Sequence, residues 1–159
     1  MKLCYIILLL CLFSISMVSA QSKKEIKKNN IKTITIIDSE NGKTLNNKKT
    51  VFDKNGETIE ELDYDKDGNL KISRKYKYNK DGEVEEEEEY DAKTKLTEKR
   101  VCKFNSLGEK TEEEVYDHLG KKVRTHYYTY NSKGLKTEKK TLDASGRTIS
   151  TRTYNYLFN

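Results

Sequence analysis

The chain of 159 residues has no proline and no tryptophan, and only eight glycines, three cysteines and two histidines. Without proline, no segment is barred from the interior of a sheet. Cys4 and Cys11 fall within the first twenty residues, which leaves Cys102 alone and excludes an internal disulfide framework. The two histidines, His118 and His126, stand in no zinc-ligand spacing. Large aliphatic residues are scarce too. Leu, Ile, Val and Phe supply 25 of the 139 residues after Ala20, a level at which a chain of this charge borders on disorder. Ten tyrosines in the same stretch offset that shortage, because each buries a large ring while keeping a polar end. A thick two-layer core is excluded by this composition; a thin sheet with partly wet faces is not.

Long hydrophobic runs are also missing after the first twenty residues. Those twenty have the pattern of a signal peptide: Lys2, an apolar stretch from Tyr5 to Phe13, and the small-residue site Val18-Ser19-Ala20. The expectation is a chain exported to the periplasm or the exterior, with 1–20 removed and no transmembrane segment in what remains. Residues 21–30, with Lys23, Lys24, Lys27 and Lys28, read as a basic flexible arm, and 31–159 as a β-repeat domain. Elsewhere Lys and Arg are finely mixed with Asp and Glu, so the charge balance does not point to nucleic acid.

The glycines present lie on one ruler: Gly42, Gly56, Gly68, Gly82, Gly108, Gly120, Gly134 and Gly146. Their gaps alternate between 12 and 14, with one missed place near Thr94. The period is 26 residues, giving units 56–81, 82–107, 108–133 and 134–159. Four residues before most glycines stands an aromatic: Phe52, Tyr64, Tyr78, Phe104, Tyr116 or Tyr130, with Tyr90 before the missed place. One residue after each aromatic comes Asp or Asn. Asx opens a type I turn through its side chain, and glycine supplies the positive φ that closes a hairpin with a bulge. Turns entering long arms carry Asp, and turns entering the short arms carry Asn except at Asp53, so the two sets should lie on opposite edges.

Between turns lie arms of strand length, rich in Thr, Val, Ile and Tyr. Short arms are acidic, as in Glu85 to Glu89 and Glu112 to Glu114; long arms are basic, as in Arg74, Lys75 and Lys77 or Lys99, Arg100 and Lys103. Antiparallel neighbours then set acid against base, and a slipped register would set like against like. The last short arm departs from this with Lys136, Lys139 and Lys140. Ile31 to Ile37 reads as a first strand, Asn41-Gly42 as a turn, and Tyr154 to Asn159 as an apolar cap on the last strand. The fold class is all-β: an antiparallel meander of two-strand repeats in an extended, twisted, largely single-layer sheet of about ten strands. Charges on both faces exclude a membrane barrel.

Chemistry is sparse. Asp63-x-Asp65-x-Asp67-Gly68 matches the start of a calcium loop, but Arg74 stands where the bidentate Glu belongs. Cys102 replaces Tyr76, Tyr128 and Tyr154 of the other units and reads as a buried small hydrophobe, with an intermolecular disulfide as the alternative. No catalytic constellation, cofactor motif or metal set emerges, so the expectation is a non-enzyme without cofactor. The candidate interaction surface is the aromatic set Tyr64, Tyr78, Tyr90, Phe104, Tyr116 and Tyr130, which either binds a partner or packs the sheet.

Tyr76-Lys77-Tyr78-Asn79-Lys80-Asp81-Gly82, Tyr128 to Gly134 and Tyr64-Asp65-Lys66-Asp67-Gly68-Asn69-Leu70 resemble the YD repeat of RHS-type bacterial proteins, over roughly 42–159. The resemblance implies β-hairpin strips, which that family often winds into a shell around a toxic cargo. So few repeats make no shell, and the toxin role is not carried over. MORN-like hairpin repeats are a looser similarity. The functional expectation is a structural or protein-interaction module of the bacterial envelope or exterior. The alternatives are a carbohydrate or cell-surface binding module using an aromatic row, and an accessory or immunity partner of a secreted toxin. The partner expected is a protein or glycan at the cell surface, or a second copy paired through edge strands.

Overall fold

The computed structural model describes residues 22–40 and 42–158, so the expected signal peptide and Asn41 of the first turn lie outside the described residues. Among the described residues ten strands follow one short helix: α1 (Lys23–Lys28), β1 (Thr33–Glu40), β2 (Lys43–Phe52), β3 (Thr58–Tyr64), β4 (Leu70–Tyr78), β5 (Val84–Asp91), β6 (Leu96–Phe104), β7 (Lys110–Asp117), β8 (Lys122–Tyr130), β9 (Lys136–Asp143) and β10 (Thr148–Thr153). They form a single antiparallel sheet whose spatial order is the chain order. The sheet is open, with β1 and β10 outermost. This is the meander that the glycine spacing predicts.

The turns explain why the arms pair so regularly. At all eight motifs the Asx N–H donates to the carbonyl four residues on, and the N–H of the closing residue donates back to the Asx carbonyl, as in Asp65 with Asn69 and Gly68. The Asx Oδ1 then accepts the N–H groups two and four residues on, as Asn131 does from Lys133 and Leu135. Thr94 holds φ 60 at the missed place and donates its N–H to the Asp91 carbonyl. The turn therefore persists where glycine is absent, at the cost of a β-branched residue in a left-handed conformation.

Registers set acid against base. Glu61 faces Arg74, Arg74 faces Glu89, Lys75 faces Glu88, and Glu87 faces Arg100. Arg74 bonds Asp63 at 2.7 Å and Glu89 at 3.1 Å, tying three strands together. Like pairs also occur, Glu89 opposite Glu98, Glu98 opposite Asp117 and Arg152 opposite Lys139; the first is flanked by Arg74, which bonds Glu89, and Arg100, which bonds Glu98. Single pairs of this exposure contribute little, so their main effect is to make a slipped register unfavourable.

The core is as thin as the composition requires. Among the described residues the buried hydrophobics are Ile26, Cys102, Val115 and Tyr128. Cross-strand partners place Arg100, Cys102, Glu113, Val115, His126, Tyr128 and Thr141 on one face, with Val115 only 2 % exposed. Ser73 and Thr125, the buried polar groups of the other face, are small enough for neighbouring long side chains to cover them.

Two expectations need correction. The stretch 21–30 is not simply a flexible arm: Lys23–Lys28 is helical, with a capping box between Ser22 and Glu25 and with Ile26 1 % exposed. Ile26 is the arm's one apolar residue before Ile31, and burying it docks the helix beside the Asp53–Gly56 turn. There the Lys23 carbonyl lies 2.7 Å from where a Cβ on Gly56 would stand, and Lys23 ion-pairs with Glu57. The apolar tail is the second correction. It extends the ladder through Tyr154 N–H to the Thr137 carbonyl and leaves Tyr154 half-buried, but Leu157 is 99 % exposed and Phe158 is exposed too, so the end of the tail meets solvent.

Candidate functional site

The aromatic candidates form two rows that the structure does not bring together. Tyr90 faces Ser73 and Tyr116 faces Lys99, on one face near the Asp-type turns. Tyr78, Phe104 and Tyr130 extend strands that place Tyr76, Cys102 and Tyr128 on the other face, near the Asn-type turns. Within a row, rings stand two strands apart, roughly 9–10 Å. All six, Tyr64 included, are half-buried.

The hydroxyls of Tyr78, Tyr90, Tyr116 and Tyr130 are engaged, by a different rule in each row. Tyr78 donates to the Thr58 carbonyl at 2.7 Å, Tyr130 to the Lys110 carbonyl at 2.9 Å, and Tyr156 to the Lys136 carbonyl at 2.8 Å. The step from ring to carbonyl is the same each time, 20 residues back to the first position of the preceding short arm. Phe104 holds the same place without a hydroxyl. In the other row Tyr90 donates to Glu88 at 2.6 Å and Tyr116 to Glu114 at 2.7 Å, two residues back in its own strand. Burial, with Glu57 nearby, pushes the Tyr78 phenol up to about 12; the bond to Glu88 pushes Tyr90 up to about 12.

The densest set of ionisable groups lies across β6 to β9. Cys102 faces Glu113, Glu113 faces His126, and His126 faces Thr141. Lys110 bonds Glu113 at 2.8 Å. Burial works to raise the Glu113 carboxyl, but the bond and charge of Lys110 hold it below its ordinary value. Burial, then the charge of Lys139, pushes His126 down, so its 3.9 Å approach to Glu113 is not an ion pair near neutral pH. His126 Nδ1 shares a hydrogen bond of 2.9 Å with Thr141. Burial pushes the Cys102 thiol up, which keeps it protonated and poorly nucleophilic. The β7 strand separates Cys102 from His126 by two strand spacings, about 9–10 Å, so the two make no nucleophile–base pair. Lys136 and Lys139 sit over the Tyr128 ring at 4.7 and 5.5 Å. That contact explains why the last short arm is basic: there lysine covers an aromatic rather than an acid.

The calcium-like acids are engaged too. Asp63 pairs with Arg74, and Asp65 Oδ1 accepts the N–H groups of Asp67 and Asn69. Among the described residues no cluster of three or more metal-ligating side chains occurs.

The sequence reading missed a stack of glutamates along the Asn-type turns. Glu83 Oε1 lies 2.9 Å from where a Cβ on Gly108 would stand; Glu57 and Glu109 approach Gly82 and Gly134 to 3.3 Å. Each turn thus rests a carboxylate on the next turn along that edge. The signal was present, as Glu follows Gly56, Gly82 and Gly108 directly. A cleft beside α1 is lined by Lys23, Lys27, Glu57, Tyr76, Tyr78 and Asn79.

No family model matches the chain, and no curated protein matches it in sequence. Among solved structures it is similar to TarM, at 18 % identity and a TM-score of 0.34 over 79 % of this chain. The chain spans about a fifth of TarM, 22 %. It is similar to a protein of unknown function from Bacteroides fragilis NCTC 9343, at 15 % identity and a TM-score of 0.41, covering 80 % of this chain and 96 % of that one. The structure of TcdB2-TccC3-TEV is similar over 76 % of this chain and 10 % of its own, at 12 % identity and a TM-score of 0.26. At these values none of the likenesses carries an argument about activity.

Proposed function

We propose that this chain is a non-enzymatic, YD-like β-repeat module that works in the bacterial envelope or exterior as a structural or protein-interaction element. The observation that supports it most is where the reactive groups are used. Turn carboxylates hold turns, six tyrosine hydroxyls hold the fold, and the thiol is buried and protonated. Left exposed are an outer strand and an apolar tail, the features by which a sheet meets another protein. The test is a pull-down of the tagged chain from Gln21 onward, mixed with envelope and culture supernatant of the source cells. A stoichiometric protein partner is expected. Recovery of neither a partner nor a self-assembled form would sink the reading.

A second reading, a glycan-binding module, draws on one observation: the cleft beside α1 is lined by the half-buried Tyr76 and Tyr78 together with lysines. It predicts that Tyr76→Ala removes binding to an anionic glycan while the folding transition survives.

A further inference from the structure

The two outer strands of the sheet complement each other. Even-numbered strands are long arms and odd-numbered strands from β3 on are short arms, with β1 in a short-arm place. A strand added beyond β10 would be a short, acidic arm running opposite to β10. Strand β1 has that direction. It contains Asp38 and Glu40 and no base, whereas β10 contains Arg152 and no acid. Asp38 also accepts a hydrogen bond from Asn47.

Both strands are open on their outer side among the described residues. All six residues of β10 are exposed, and each strand presents one isoleucine, Ile149 at 57 % and Ile37 at 54 %. Ladder alternation fixes which backbone groups point outward. Tyr154 N–H donates to the Thr137 carbonyl, so 150 and 152 bond inward and 151 and 153 outward. Phe52 N–H donates to the Lys32 carbonyl, so 34 and 36 bond inward and 33 and 35 outward.

We propose that β10 of one copy pairs antiparallel with β1 of the next, continuing the acid-against-base meander from molecule to molecule. The two surfaces differ, so the contact is head-to-tail and open-ended rather than a two-fold dimer. This rests on reading the chain as an interaction module and names a second copy as a partner.

The experiment is light scattering across a concentration series of the chain from Gln21 onward, with proline placed at an outward N–H. Mass is expected to rise with concentration in steps of one protomer. Thr35→Pro and Thr151→Pro should each remain monomeric, and their mixture should give a one-to-one pair, because each keeps the edge that the other lacks. Persistence of a dimer in Thr35→Pro alone would reveal β10 pairing with itself and overturn the proposal. A wild-type monomer at every concentration would overturn it as well, and if that monomer captures a different protein, the interaction-module reading stands by itself. Should proline disrupt folding, as judged by circular dichroism, the charges give a second route. Arg152→Glu should weaken association about tenfold, and a partner copy carrying Asp38→Lys should restore it. Failure of that rescue, with both variants folded, would count against the pairing.

Discussion

Thr94 is the one residue that fills a glycine place without being glycine, and it shows what the turn demands. Its φ of 60 costs about 1–2 kcal/mol relative to a relaxed residue, and glycine would return part of that to the unfolded chain as entropy. Thr94→Gly should therefore raise stability by about 0.5–1 kcal/mol in urea denaturation. A loss of stability would mean that the bond from Thr94 Oγ1 to the Lys93 carbonyl outweighs the backbone strain. This position was legible in the sequence because spacing alone marks it. Ser22-Lys23-Lys24-Glu25 was legible in principle, being a capping box, yet the lysines around it hid the helix. What decides that helix is tertiary: Ile26 finds a buried place beside Val51, Phe52 and the turn that follows, and no local pattern announces such a place. Leu157 shows the reverse error, since an apolar residue at a strand end suggests a cap and here meets solvent.

Where the long arm's aromatic is tyrosine, it secures the start of the preceding short arm through its hydroxyl. Three units make this bond, from Tyr78, Tyr130 and Tyr156, and the unit with Phe104 does not. Phe104→Tyr should supply it and stabilise the chain by about 0.5–1.5 kcal/mol, while Tyr130→Phe should cost a similar amount. Thermal and urea melts of the two variants measure both; equal, near-zero effects would show that the hydroxyls are satisfied equally well by water. Strand identity, turn type and charge opposition were all readable, because each repeats at a fixed period and depends on neighbours in sequence. Which face each aromatic row occupies was not read, since the bulge at each turn shifts the register by one residue. The reach of Glu83 to Gly108 was missed for the related reason that it crosses a full unit.

The molecule as a whole is an array in which each strand packs against its sequence neighbours, so its responses should be those of a chain of similar links. Acid is one such response. His126 is held below its ordinary 6.5, and Glu86, Glu113 and Glu114 below their ordinary 4.5. For each, the unfolded chain takes up its proton at a higher pH than the folded one, so stability is full above the ordinary value and falls as pH drops. Denaturant midpoints should decline first below about pH 6.5 and then more steeply below about pH 4.5. His126→Gln should flatten the first step and leave the second; an unaltered first step would place its origin elsewhere.

Deletion tests the array itself. Removing 82–107 takes out one whole unit of 26 residues and joins Asp81 to Gly108, which keeps an Asn-x-x-Gly turn. Strand β4 then meets β7, so Arg74 and Lys75 still face a short, acidic arm carrying Glu112 to Glu114. The shortened chain should fold to the same sheet, less stable by about 1–4 kcal/mol at typical stability per residue. Removing only 82–93 should not fold comparably. It sets β4 against β6, so that Lys75 opposes Arg100, with Arg74 diagonal to Lys99. Circular dichroism and amide dispersion on the two deletions distinguish the outcomes. If both fold equally well, charge opposition does not set the register; if neither folds, the sheet is a single cooperative whole and not an array of repeats.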